Sequence, residues 1–197
     1  HRFLQDKCTR EVVREIDESE RGFSESLWKD ISEIGWPSIV IDEQYGGMGS
    51  SLTDAGLLFE EMGRACMPSP LHSSSVLSAL VLQQAGTADQ RQHYLPLIAD
   101  GNRIVAFAFS EPGYGWGPES IHTQANKVGD KYVVSGTKLF VPDAESADSY
   151  LLVARTRATD VSGSGLTLFV VDKEVPGIHV KEVSGWTGDK LYEIAIE

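Results

Sequence analysis

The sequence predicts an α+β protein, with a helical first half followed by an antiparallel β half. Two observations carry this. Up to Gly101 apolar residues recur at helical spacing, and beyond it short alternating or β-branched runs separated by turn residues take over. The boundary is expected near Asn102, giving units over residues 1–102 and 103–197, and no parallel βαβ unit can be picked out.

Each element has its own signal. Leu4, Cys8, Val12 and Ile16 recur every four residues and line one face of a first amphipathic helix. Ser24 or Ser26 caps a second, with Leu27, Ile31 and Ile34 inward and Gly35 as its stop. The glycines of EQYGGMGSS mark a loop. Ser51 or Thr53 then opens a third helix that runs through Arg64, carries Leu57, Leu58 and Met62, and is broken by MPSP. A fourth spans Ser74 to Ala85 and closes at Gly86. A fifth starts at Thr87 with Gln90 three residues on, the spacing at which each side chain satisfies the other's backbone N–H.

Strands follow at Ile104–Phe109, Thr123–Val128, Lys131–Ser135, Thr137–Val141, Ser149–Arg155, Leu166–Val171, Ile178–Val183 and Tyr192–Glu197. VGDKYVV reads as a tight hairpin about Gly129 and Asp130, and ATDVSGSG (Ala158–Gly165) as a small, polar surface loop.

Composition narrows the function. With 29 acidic against 17 basic residues the formal charge is −12, a field that repels polyphosphate and argues against a nucleic-acid or anionic-membrane binder. No apolar run approaches the roughly 20 residues that span a bilayer, and no leader-like segment opens the chain, so membrane insertion is not expected and a cytoplasmic location is. Cys8 and Cys66 form no CxxC and read as buried free thiols. The five histidines show no HExxH, so no metal site is expected. The chain begins without Met and stops inside an alternating segment, LYEIAIE, which reads as a piece of something longer.

FAFSEPGYGWGPESI, from Phe107 to Ile121, sets a strand against Gly113, Gly115 and Gly117. Glycines after a strand can let backbone N–H groups approach an anion, or can simply turn a corner. The dinucleotide fingerprint needs its loop to open a helix, whereas Pro118 and a strand follow here, and the GxGxxG spacing fails as well. There is no GxxxxGK, and GSG at Gly163–Gly165 is not GxSxG.

Five blocks in register extend the reading. DEQYGGMG (Asp42–Gly49), FEEMGRACMPSPL (Phe59–Leu71), YLPLIADGNRIVAFAFSEP (Tyr94–Pro112), VGDKYVVSGTKLFV (Val128–Val141) and ADSYLLVART (Ala147–Thr156) together resemble the acyl-CoA dehydrogenase family over nearly the whole chain. The resemblance implies a helical N-terminal domain and a middle β-barrel domain, with nothing here matching the family's C-terminal four-helix domain.

The chemistry it implies is flavin-dependent α,β-desaturation of an acyl-CoA in fatty-acid β-oxidation. A carboxylate takes the α-proton, the β-hydride passes to FAD, and electrons leave through an electron-transferring flavoprotein. Such a base works in a dry pocket that raises its pKa. In most members it is a glutamate of the C-terminal domain, so no catalytic residue is assigned within this chain.

By the same resemblance Phe107, Phe109 and Ser110 fall along the flavin, with Ser110 offering a hydroxyl at its edge. Phe140 and Val141 match the aromatic and aliphatic positions of a second flavin-facing segment. Pro142 stands where Ser or Thr is usual and brings neither hydroxyl nor N–H. In the glycine loop, beside Gly115, Trp116 and Gly117 stand where the family commonly has Ser and Asp. The Trp116 indole either stacks on a ligand, fills the cleft or marks a contact with another chain. Near the end Thr187, Asp189 and Leu191 replace an Arg-x-Ser-x-Thr pattern.

The bland readings are barrel packing for Phe107 and Phe109, a turn hydroxyl for Ser110 and helix capping for Ser73, Ser74 and Ser75. Two functions are therefore carried forward. One is an active flavoenzyme that takes FAD and acyl-CoA, passes electrons to electron-transferring flavoprotein and assembles as a homo- or hetero-oligomer at full length. The other is a non-catalytic structural subunit with a degenerate flavin site. Ser110 and Phe140 favour the first, Trp116, Gly117 and Pro142 the second.

Overall fold

Thr9 splits the first predicted helix in two. In the computed structural model its Oγ1 accepts the Val12 N–H, so α1 (Arg2–Lys7) ends before it and α2 (Arg10–Glu18) starts after it. The structure describes residues 1–113, 115–157, 163–183, 185 and 190–197. They fall into two units, His1–Val105 and Ala106–Glu197.

In the first unit Ser24 caps α3 (Glu25–Glu33), which buries Leu27, Trp28 and Ile31. Ile34, expected inward, is exposed: it lies past the last helical turn, where the chain swings into Gly35 at φ +80° and the helical period no longer applies. The Trp28 indole N–H reaches Gly101 O at 2.8 Å and ties α3 to the end of the unit. The loop at Asp42–Gly49 folds back on the preceding turn, with Met48, Gly49 and Ser50 N–H groups donating to Ser38, Ile41 and Ile39 carbonyls at 2.8–2.9 Å. A Cβ at Gly47 would overlap the Ile41 carbonyl, so this glycine is a packing requirement.

Helix α4 (Leu52–Arg64) begins at a Ser51–Asp54 capping box and buries Ala55 and Met62. Leu57 is exposed, because the Ala55–Phe59–Met62 stripe sets the inward face and Leu57 lies two residues off it. Cys66 is exposed as well, against expectation, while Cys8 is buried. Cys66 takes φ +49° as the left-handed residue that ends α4, with Met67 N–H bonded to Met62 O and Cys66 N–H to Gly63 O.

The predicted fourth helix is two pieces, a π-helix over Leu71–Ser78 and α5 (Ala79–Ala85). Its serines do not cap it. Ser73, Ser74, Ser75 and Ser78 are buried; Ser74 Oγ accepts the Val105 N–H at 3.0 Å, and Ser78 Oγ donates to Val105 O at 2.8 Å. Two serines four apart thus satisfy both backbone groups of one residue. Helix α6 (Ala88–Ala99) has the expected Thr87–Gln90 capping box, at 2.9 and 3.2 Å.

The strands are β1 (Val105–Ala108), β2 (Gln124–Val128), β3 (Lys131–Pro142), β4 (Ser149–Arg155), β5 (Leu166–Asp172), β6 (Ile178–Val183) and β7 (Leu191–Ile196). Neighbours run β1-β4-β2-β3-β7-β6, with β5 also on β4. The pairs β2–β3, β3–β7, β4–β5 and β6–β7 are antiparallel, and β2 meets β4 in a single parallel contact at Gln124 and Arg155. Val128 pairs with Lys131 across the expected two-residue turn, where Gly129 has φ +63°.

Two predicted strands merge into β3. Residues 131–135 pair with β2 and residues 136–142 with β7. The changeover is at Gly136, where a Cβ would come within 2.6 Å of Thr123 Oγ1. The glycine therefore keeps the strand continuous while it turns a corner, and the sheet curls into the half-barrel. Tyr114, residues 158–162 of the predicted loop, and Thr187 and Asp189 lie outside the described residues.

Candidate functional site

Alternation in β1 sends Ala106 and Ala108 inward and leaves Phe107 half-buried, as is Phe109 just past the strand. Their rings stack with centroids 6.1 Å apart and planes 14° from parallel. The next residue, Ser110, is tied by its carbonyl to the Leu139 N–H of β3 at 2.8 Å.

The strongest polar feature is one that the sequence reading did not single out. Lys138 Nζ donates to Glu111 Oε1 at 2.7 Å and to Phe109 O at 3.3 Å, with the two side chains 0% and 4% exposed. Glu111 also accepts the His122 N–H at 2.7 Å and the Thr123 N–H at 3.1 Å. A buried charge is tolerated only when its bonds are made in this way. Burial pushes the Glu111 carboxyl up, but bonds from Lys138, Thr123 and His122 outweigh it and hold the group below its ordinary value. Burial pulls the Lys138 ammonium down, with Glu111 opposing. The sequence signal was a lysine inside an apolar strand run, TKLFV, and an acid wedged between a strand and a Pro-Gly turn.

Just beyond Lys138, β3 gains a residue. Lys138 pairs with Ile194 but Val141 with Tyr192, so two residues on β3, Leu139 and Phe140, stand against one on β7, Glu193. The bulge puts Phe140 at φ +56° and leaves its side chain 41% exposed. An aromatic in that backbone region carries strain of about 1–3 kcal/mol, which the surrounding bonds must hold in place. Val141, by contrast, is 1% exposed and its side chain belongs to the core, while the half-buried Pro142 ends the strand opposite Leu191.

The glycine loop is tied at its base and along its return. Glu111 holds the base through His122 and Thr123, and Arg155 donates to Ile121 O at 3.2 Å and Pro118 O at 2.9 Å. A Cβ at Gly115 would overlap the Ser120 side chain, so only glycine fits there. The Glu119 carboxylate lies over Gly117, which places negative charge where an anion cradle would need N–H groups. Trp116 is 85% exposed, so the indole does not fill a core.

The structure therefore fastens Phe109 and Ser110 to Lys138 and Leu139, next to the bulge, with the Phe107 ring stacked on that of Phe109. It sets Gly115 and Trp116 on the tied loop and turns the Val141 side chain away. Among the described residues no group of three or more His, Cys, Asp or Glu is arranged to hold a metal ion.

Two family models match the chain, "Acyl-CoA dehydrogenase, N-terminal domain" over residues 1–102 and "Acyl-CoA dehydrogenase, middle domain" over residues 106–197. Acyl-CoA dehydrogenase FadE12 of Mycobacterium tuberculosis is 32% identical over 77% of this chain and 39% of its own length. Mitochondrial isovaleryl-CoA dehydrogenase of Pongo abelii is 31% identical over 100% of this chain and 48% of its own. Among solved structures, the ChsE4–ChsE5 complex of Mycobacterium tuberculosis superposes with a TM-score of 0.85 at 26% identity, covering 99% of this chain and 50% of that one. The chain spans half or less of the length of these relatives. On these matches and on its fold, the chain belongs to the acyl-CoA dehydrogenase family.

Proposed function

We propose that this chain forms the N-terminal and middle part of a flavoenzyme that desaturates an acyl-CoA thioester at the α,β position. FAD would lie along Phe107, Phe109, Ser110 and Phe140. The observation that carries this reading is Phe140: a strained aromatic left 41% exposed at a strand bulge, one residue past the Leu139 N–H that bonds Ser110 O, suits a flat heteroaromatic ligand better than sheet packing. The donor set fits such a ring in part. Aromatic faces and the Ser110 hydroxyl are present, and Pro142 contributes a carbonyl but no N–H.

Bound flavin would supply acceptance of the hydride that leaves the acyl β-carbon. The residues of this chain provide apolar walls that keep water from that edge, together with the hydroxyl of Ser110. The base that takes the α-proton is assigned outside residues 1–197, the electron acceptor is electron-transferring flavoprotein, and the full protein is a homo- or hetero-oligomer of the cytoplasm. Among the described residues no helix is long and apolar enough to cross a membrane.

A second reading, a structural subunit that has lost flavin, is supported by Pro142, by the exposed Trp116 and by the Glu119 carboxylate over Gly117. The relative described as a ChsE4–ChsE5 complex is a precedent for two unlike chains together. A visible spectrum of the full-length protein separates the two. A flavin band bleached by an acyl-CoA supports the enzyme, and a protein that stays colourless with added FAD supports the subunit.

A further inference from the structure

Glu111 and Lys138 are the only charged side chains among the described residues that are fully buried, and they do not earn that place through stability. A buried ion pair roughly breaks even against apolar side chains of the same volume, so its retention calls for another reason. The contacts supply one.

Lys138 Nζ bonds Phe109 O, Leu139 N–H bonds Ser110 O, and Glu111 itself bonds Lys138, so three consecutive residues after β1 are fastened to two consecutive residues of β3. The very next residue of β3 is Phe140, where the extra residue and the positive φ occur. The remaining bonds of the carboxylate run to His122 and Thr123 and fix where the glycine loop rejoins the sheet. One pair of side chains therefore sets the spacing between Ser110 and Phe140 and the root of the loop that carries Trp116.

We infer that the Glu111–Lys138 pair is the positioning element of the flavin edge, holding the Phe109–Ser110 segment and the Phe140 bulge at the separation a bound isoalloxazine requires. The inference rests on the reading given under Proposed function, and it adds two residues that need not touch the flavin.

The test uses the full-length protein and FAD as the probe. The double variant E111Q/K138M keeps an acceptor for the His122 and Thr123 N–H groups and fills the same space without charge. It should keep the wild-type thermal midpoint while its dissociation constant for FAD rises at least about ten-fold, the equivalent of one charge-assisted hydrogen bond. The visible circular dichroism of the flavin it still binds should change as well, a readout that overall stability does not move. Wild-type affinity and dichroism in the folded double variant would overturn the inference while leaving the proposed function standing. A wild-type protein that takes up no FAD would overturn both. Should the double variant fail to fold, Glu111→Asp, which keeps both charges and shortens the reach by one methylene, replaces it: altered flavin dichroism supports the inference and unaltered dichroism overturns it.

Discussion

Among the described residues, the two units of this chain differ in that only the sheet unit buries an ion pair. In the helical unit most ion pairs among the described residues are local and exposed, as in Arg14–Glu18 on α2 at 2.9 Å, Lys29–Glu33 on α3 at 4.0 Å and Arg64–Glu60 on α4, each four residues apart. In the sheet unit one pair, Glu111–Lys138, is sealed from water and joined to the backbone at Phe109, His122 and Thr123. Exposed pairs are screened and held loosely by long side chains, so they are worth tenths of a kcal/mol each. A buried pair is costly to form and costlier to break, and it is rigid. The contrast shows where the fold demands exact placement: not on the helices, whose caps and apolar stripes already specify them, but at the sheet edge where two segments distant in sequence must meet.

The comparison can be broken most severely at Lys138. Lys138→Ala should destabilise the protein by about 3–5 kcal/mol, because it leaves the Glu111 carboxylate buried without its counter-charge. Equilibrium denaturation measures this, and a loss below about 1 kcal/mol would mean that the pair is no more than a surface bridge.

A smaller effect is expected from pH. The Glu111 carboxyl lies below its usual 4.5 in the folded chain, so its contribution to stability is fully present above 4.5 and fades as pH falls through the lower folded value. Burial lowers Lys138 from 10.5, so the cost of holding it charged is relieved as pH rises through its folded value towards 10.5. The slope of stability against pH on the acid side should therefore be shallower in Glu111→Gln than in wild type. An unchanged acid limb would show that this carboxylate is not held low.

Next in size is Thr87→Ala, which removes half of the capping box on α6 and should cost about 1 kcal/mol. Smallest is Arg14→Ala, at about 0.3–0.5 kcal/mol or less, and that loss should shrink further in high salt. Should Arg14→Ala rival Lys138→Ala, the contrast between the units would not hold.

Much of the fold was readable because local chemistry announced it. Ser24, Ser51 and Thr87 cap helices where short polar residues precede apolar periods, and Gly129-Asp130 turns its hairpin. Two of the misses were decided by partners far away in sequence, and one by a local bond. Thr9 satisfies a local N–H at the expense of a continuous helix, which is a choice between two allowed local structures. The π-helix at Leu71–Ser78 goes with Ser74 and Ser78 bonding Val105, some 30 residues on, and no period in the serines foretells it. Strand β3 stays whole because Gly136 can pass close to Thr123, whereas glycine in a strand normally reads as a break.

The candidate site was legible only through family resemblance, and only in part. Phe107, Phe109, Ser110 and Phe140 came from matching blocks, yet the bulge and positive φ that single out Phe140 depend on pairing with β7, and Glu111 on meeting Lys138 27 residues away. Val141 shows the limit of position-by-position transfer, since its side chain is part of the core.

The central claim, that a flavin lies along the edge built from Phe107, Phe109, Ser110 and Phe140, is tested most directly by FAD titration of the full-length protein and its Phe140→Ala variant, followed by visible absorbance. Stoichiometric uptake by wild type, weakened by about five-fold in the variant with folding intact, is the expected result, since an aromatic contact of this kind is worth on the order of 1 kcal/mol. Equal FAD binding by both proteins, or none by wild type, would contradict the account.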